Sequence, residues 1–282
     1  MENTTSTTGT EAGKNESILK TMFAAIVIPV ALVAAIVIFK FVMGNGANFE
    51  GGDPNNNPLA GNYLGVIYKG GFIVPILLTL LILVITFSIE RFITIRMAEG
   101  KGNLPRHMRK MQALIATSRI DEAITACNEQ RGTVSNVLKS VLEKYSELEK
   151  NQHMDKEQKV LKLQLELEDA TELELPMLEK NLTILATIAS ISTLMGLLGT
   201  VLGMIRSFAA LAHAGAPDSV ALATGISEAL INTAFGIATS ALAIVAYNYF
   251  TSQIDSISYH IDEAGLSVIK VFNASYHDDK KQ

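Results

Sequence analysis

The sequence predicts an all-α, polytopic membrane protein, and three observations carry that prediction. Of its 282 residues, 49% are hydrophobic. Uncharged apolar runs at 21–39, 70–89, 181–205 and 229–253 are each long enough for a helix to cross a ~30 Å hydrocarbon core. Between the second and third runs lies a polar stretch whose apolar residues recur at helical spacing.

Residues 1–17 are rich in Thr, Ser, Asn, Gly and Glu, cannot bury a core, and are expected to be a disordered tail. Residues 18–43 predict a transmembrane helix with a kink at Pro29. A cleaved signal peptide is the competing reading, but the apolar part exceeds the usual length and no A-x-A-like site follows. Residues 44–69 form a loop dense in Gly and Asn, ending in a short interfacial helix that carries Tyr63 and Tyr68. The span at 70–91 tolerates Pro75 in its early turns and closes with Glu90 and Arg91.

Residues 92–179 predict a helical domain. Met108, Met111, Leu114 and Ile115, then Ile120, Ala123 and Ile124, then Val134, Val137, Leu138, Val141 and Leu142 keep helical phase. Breaks are expected at Gly132 and across 151–155. Leu161, Leu163, Leu165 and Leu167 alternate as a strand would, but Val160, Leu163, Leu167, Ala170 and Met177 also follow a 3-4 spacing among good helix formers. A helix is the better reading. With a kink at Pro176 it would continue into the span at 180–211, as one long helix from about Asp155 to about Leu211. A hairpin at 212–218, a span at 219–250 and a C-terminal helix and tail at 251–282 complete the chain.

Charge orients these spans. Arg91, Arg96, Lys101, Arg106, Arg109 and Lys110 follow the 70–91 span closely, whereas the 44–69 loop has Lys69 alone and the hairpin has no Lys or Arg. By the positive-inside rule both termini and the 92–179 domain are cytoplasmic, and the loop and hairpin lie outside. Lys14 and Lys20 agree with this topology, and Lys40 snorkels at the outer end of its helix.

Several function classes are disfavoured. A net charge of −5 offers no basic surface for nucleic acid. The single cysteine, Cys127, excludes an intrachain disulfide. His107, His153, His213, His260 and His277 show no metal-ligand spacing, and no nucleophile elbow, P-loop or dinucleotide fingerprint is present, so neither a metal site nor an enzyme is expected. Glu166, Glu168, Asp169, Glu172, Glu174 and Glu179 read as a solvated helix face.

The informative acid is Glu228. It lies about ten residues into a helix starting near Asp218, roughly 15 Å deep and close to the bilayer midplane. An ionisable group there costs at least about 2.5 kcal/mol. It releases its proton only where a polar path or a cation stabilises the anion, which is what a proton relay requires. A structural hydrogen bond to a neighbouring helix is the alternative. Thr224, Asn232, Phe235 and Thr239 fall within about 40° of Glu228 around the helix, a polar stripe that suits a hydrated or partner-filled cavity. Thr233 lies about 140° away, so helical phase does not assign it to that path.

Gly196, Gly199 and Gly203 on one helix and Gly225 and Gly236 on the other allow close helix packing. One helix pair cannot enclose a channel, and such small-residue faces suit a ring of copies, so a homo-oligomer is expected.

LLGTVLGM, followed by ISEALINTAFGI, resembles the paired signature of the MotA/TolQ/ExbB proton channel family. GGFIVPILLTLLILVITFSIERF resembles that family's first core helix, and the likeness covers roughly 70–250. It implies a three-span ExbB/TolQ-like core in the bacterial inner membrane. It also implies a ring, usually a pentamer, around the single span of an ExbD- or TolR-type partner, which drives a TonB-like periplasm-spanning protein. Protons are the coupling ion, and no cofactor is implied.

Carried over by position, the essential pore glutamate falls on Glu228 and the two pore threonines on Thr200 and Thr233. The glutamate favours the ExbB/TolQ branch. The helix at 18–43 and its loop are additional to the family core, and Asn232 stands where a small apolar residue is usual, placed to tune Glu228 by hydrogen bonding. TonB-dependent transport is the leading function. A TolQ-like or gliding motor role and a non-conducting scaffold are the alternatives, and a secondary transporter is disfavoured because no inverted repeat is visible.

Overall fold

A computed structural model of the chain describes residues 8–151, 153–213 and 219–278. Among these residues the fold is entirely helical apart from short turns and one isolated antiparallel bridge, Phe49 to Pro58. Four helical stretches, Phe23–Met43, Gly71–Ala98, Lys156–Ala209 and Leu222–Ala274, contain segments long and apolar enough to cross a membrane. The chain is an all-α, multi-pass membrane protein. It divides into two compact units, one of residues up to Ser88 with Ile184–Ala246, the other of Ile89–Thr183 with the residues from Tyr247 onward.

In the first unit, α1 (Thr8–Val37) runs unbroken through Pro29 and continues as a π-helix over Ile38–Met43. This corrects the expected disorder of the tail for residues 8–17. Extending an existing helix costs far less than starting one, and Glu11, Ala12, Lys14 and Glu16 are helix formers. Residues 1–7 lie outside the described part.

The additional helix is packed, not isolated. Phe23 meets Phe87 edge to face at 6.2 Å, and Ala35 and Met43 share a core with Val74, Leu78 and Phe235. The Gly/Asn loop is tied back to it. Asn48 Nδ2 donates to the carbonyls of Val42 (2.8 Å) and Met43 (2.9 Å), which the helix end leaves free. Asn62 caps α2 (Tyr63–Tyr68) by accepting from the Gly65 N–H, and Lys69 Nζ donates to the Pro54 and Asn55 carbonyls at 2.9 Å each. The unit is completed by the first part of α3 (Val74–Ala98), most of α8 (Leu182–His213) and the start of α9 (Ser219–Asp278). Most of the hairpin, 214–218, lies outside the described residues.

The second unit contains α4 (Leu104–Ala116), α5 (Ile120–Gln130), α6 (Thr133–Lys150), α7 (Lys156–Glu179) and the end of α9. Its core is the periodic set read from sequence, including Met108, Met111, Ile115, Val134, Val137, Leu138, Val141 and Leu142, all buried. From α9 come Ile257, Ile261, Ala264, Val268 and Phe272, the last edge-on to Tyr145 at 4.8 Å. Gln130 closes the α5–α6 turn, its Oε1 accepting from the Gly132 N–H and from Ser135 Oγ.

Buried Cys127 provides a test of this core. Burial pushes its thiol up to about 12. The reactive thiolate is therefore about 10⁻⁴ of the population at pH 8, and iodoacetamide should modify the folded chain on the order of 1,000-fold more slowly than the denatured one. Mass spectrometry after timed alkylation measures this, and rapid native labelling would contradict the buried assignment.

The long helix expected from about Asp155 to about Leu211 is corrected. α7 ends at Glu179, and α8 begins at Leu182. Pro176 lies inside α7 without ending it; the break falls at Lys180 and Asn181, where Asn181 takes the left-handed conformation (φ 69°) that Asn tolerates better than most residues. The free end is satisfied from α3. Arg91 Nη1 donates to the Leu178 carbonyl at 2.9 Å, one of the orphan acceptors of the last turn. α9, in contrast, is a single 60-residue helix with no interruption near residue 250.

Candidate functional site

Small residues bring α8 and α9 into backbone contact. A Cβ on Gly203 would lie 2.9 Å from the Gly225 carbonyl and 2.9 Å from the Ala229 Cβ. One on Gly236 would lie 2.6 Å from the Ser192 carbonyl and 2.8 Å from the Gly196 Cα. A Cβ on Gly225 would strike Ser207 Oγ, and one on Gly199 would strike the Asn232 side chain. All five glycines therefore serve the α8–α9 contact within one chain. Their spacing shows close packing but is no argument for a ring, because this intrachain contact already uses those faces.

Close approach sets the polar contacts. Thr200 and Thr233 are hydrogen-bonded through their hydroxyls. Each also reaches backbone across or along the pair: Thr233 Oγ1 lies 3.3 Å from the Gly196 carbonyl, and Thr200 Oγ1 lies 3.4 Å from that of Ala229. Helical phase left Thr233 unassigned, because its 140° offset from Glu228 turns it toward α8. The structure gives it a partner there, and that partner is the other threonine carried over from the family signature.

Glu228, at 8% exposure, is buried. Its Oε1 accepts from Arg206 Nη1 at 2.6 Å. The Arg206 side chain is 51% exposed, and its guanidinium lies 5.3 Å from the centre of the Phe72 ring, a cation–π distance. Gly71 makes room for the carboxylate: a Cβ there would collide with Glu228 Oε1, and its φ of +75° is one that glycine adopts without strain. Arg206 plays no part in the sequence reading, although a signal was present. Residues 206 and 228 stand equally far from position 217 in the hairpin, so antiparallel helices bring them to one depth.

The polar stripe divides. Asn232 is fully buried, and its Nδ2 donates to the Gly70 carbonyl at 2.9 Å and not to Glu228. Thr239 is 1% exposed. Thr224 is exposed and lines a recess of about 600 Å³ with Ser227, Lys69 and the loop residues Asn55 and Asn57. Asn232 Oδ1, Thr239 Oγ1 and Ser192 Oγ are buried without a hydrogen-bond partner among the described residues. Within one protomer, Asn232 and Thr239 thus face neighbouring helices, whereas Thr224 faces outward.

Chemically, the arrangement is an acid paired with a cation and, a helix rise of roughly 7 Å further along α9 and about 140° around it, a two-hydroxyl bridge. A carboxylate and hydroxyls both take up and release protons, so Glu228 and the two threonines can take part in moving one, whereas the guanidinium of Arg206 stays charged. No cluster of residues suited to a metal ion occurs among the described residues.

Residues 129–263 match the family model described as the MotA/TolQ/ExbB proton channel family. An ExbB-like biopolymer transport protein of Synechocystis is 41% identical over 90 residues, 31% of this chain and 43% of that protein. The biopolymer transport protein ExbB of Salmonella typhimurium is 39% identical over 85 residues, 30% of this chain and 35% of its own length. The Tol-Pal system protein TolQ of Haemophilus influenzae is 40% identical over 84 residues, 30% of this chain and 37% of its own length. The chain thus spans less than half the length of each of these relatives. Glu228, Arg206, Thr200 and Thr233 all lie inside the stretch, residues 129–263, that is similar to the MotA/TolQ/ExbB proton channel family.

Proposed function

We propose that the chain is a proton-channel subunit of an inner-membrane motor. In this reading it works in a homo-oligomeric ring, with both termini cytoplasmic and an ExbD-like single-span partner. Proton motive force then energises TonB-dependent transport across the outer membrane through a TonB-like protein. The observation that carries the reading is a buried carboxylate, Glu228, on the same helix pair as a bonded hydroxyl pair, Thr200 with Thr233, in the family-matched stretch of a membrane protein. Glu228 accepts and releases the proton, and the two threonines support its passage. Each charge crossing 100 mV releases about 2.3 kcal/mol, so a few protons per cycle supply useful work.

A TolQ-like role in the envelope is the second reading. It is favoured by a specific observation: the TolQ and ExbB relatives are similar to this chain to nearly the same degree, 40% and 39%. A non-conducting scaffold is the reading from a different class.

Proton uptake into proteoliposomes under an imposed potential tests the proposal, using the protein with its ExbD-like partner. Wild type is expected to conduct, and Glu228→Gln, equally assembled, to lose conduction at least ~100-fold. Equal conduction by the two would make Glu228 structural and leave the scaffold.

A further inference from the structure

We infer that Arg206 is the counter-ion that holds Glu228 ionised in the resting protomer, so that Glu228 takes up a proton when Arg206 lets go. This rests on the proposed role of Glu228 as proton carrier and adds the element that controls it. Nothing in the paired signature requires a cation at 206; the inference comes from geometry. The two groups form a charge-assisted bond of 2.6 Å across α8 and α9.

The surroundings make Arg206 the cation that counts. α9 carries no other charge from 229 to 253, and Gly70 and Gly71, packed beside the carboxylate, bring none. Lys69, nearest in sequence to that segment, is turned to the carbonyls of Pro54 and Asn55. If Arg206 leaves, Glu228 is a buried carboxylate with no cation bonded to it, and neutralisation by a proton becomes the less costly state.

The two ends of the pair differ in exposure. The Glu228 side chain is 11% exposed and the Arg206 side chain 51%, so the arginine is the freer of the two to turn away, for example toward a competing acid, while the glutamate stays. Phe72 supplies a resting place for the guanidinium on the protomer side. Arg206 is therefore a positioning residue: it sets the charge state of the group that carries the proton.

The experiment reads protonation directly. Infrared spectra of the purified full chain in nanodiscs at neutral pH report the C=O stretch of a protonated Glu228, assigned by its presence in Arg206→Gln and its absence from Arg206→Gln/Glu228→Gln. Wild type and Arg206→Lys should lack the band, and Arg206→Gln should gain one protonated carboxyl per chain. An Arg206→Gln spectrum identical to wild type, or a wild type already showing the band, overturns the inference.

If Arg206→Gln does not fold, the double variant Arg206→Gln/Glu228→Gln decides. Recovery of folding identifies an uncompensated charge and supports the pair, whereas continued failure assigns Arg206 a packing role and overturns it. The spectrum needs no conduction. Failure of wild type to conduct, with the band absent from wild type and present in Arg206→Gln, removes the proton-channel reading and leaves the counter-ion standing.

Discussion

Replacing Gly199 by leucine is expected to unfold the contact between α8 and α9. A Cβ at this position already falls on the Asn232 side chain, and Asn232 is fully buried and anchored to the Gly70 carbonyl at 2.9 Å. Leucine adds four carbons where none fits. Ordinary overpacking costs about 1–3 kcal/mol, and here the obstruction is a polar side chain pinned by its own hydrogen bond, so a loss of about 3 kcal/mol or more is expected. That corresponds to a population shift of more than ~100-fold.

The readouts are the thermal midpoint in detergent and hydrogen exchange of the α8 and α9 amides. Gly203→Ala supplies a graded comparison, because its Cβ would meet the Ala229 Cβ and the Gly225 carbonyl at 2.9 Å and calls for a smaller adjustment. A Gly199→Leu protein that melts like wild type would show that the two helices are not in backbone contact.

Arg91→Met should strongly destabilise the second unit. Arg91 is 2% exposed, paired with the adjacent Glu90, and donates to the Leu178 carbonyl at the α7 end. Removing it leaves a partly buried carboxylate and an orphan carbonyl together. Breaking a buried ion pair from one side costs about 3–5 kcal/mol. Lysine should rescue little, because an ammonium cannot reproduce the planar fork that serves two acceptors at once.

Limited proteolysis and hydrogen exchange around residues 176–182 locate the damage. Arg91→Met with Glu90→Gln should recover part of the loss by removing the stranded charge. A single variant as stable and as protected as wild type would mean that Arg91 does not hold the α7 end.

Arg91 shows how one residue carries different information at different levels. In sequence it is a charge closing an apolar run, and as such it helps to orient the spans. In the structure the same side chain is buried and ends a helix that periodicity alone would continue. Periodicity could not place that break, since Pro176 is the stronger local signal and the helix passes through it. Asn181 ends it because Asn tolerates a left-handed backbone and because Arg91 and Glu90, about ninety positions earlier, supply bonding partners there.

The glycines have a similar history. Their spacing announces close packing correctly, but spacing within one helix does not say whether the facing helix belongs to the same chain. Gly196, Gly199, Gly203, Gly225 and Gly236 meet one another's neighbours inside a single protomer, so any ring must be built from other faces. Leu194, Val201 and Leu230, all exposed on α8 and α9, are available to lipid or to a neighbouring copy.

The sequence by itself determined the helical class, the four apolar stretches, the core positions of α4, α5 and α6, and the isolation of Glu228 in an uncharged run. These depend on hydropathy and on a 3.6-residue period, which are local properties of a chain. Only the tertiary structure decided that Arg206 meets Glu228, that Thr200 bonds Thr233, that Asn232 turns to Gly70, and that α7 stops at Glu179. Each of these depends on how far one helix is rotated and shifted against another. A helix's own periodicity carries no record of that rotation, which is set by where glycines let two backbones touch.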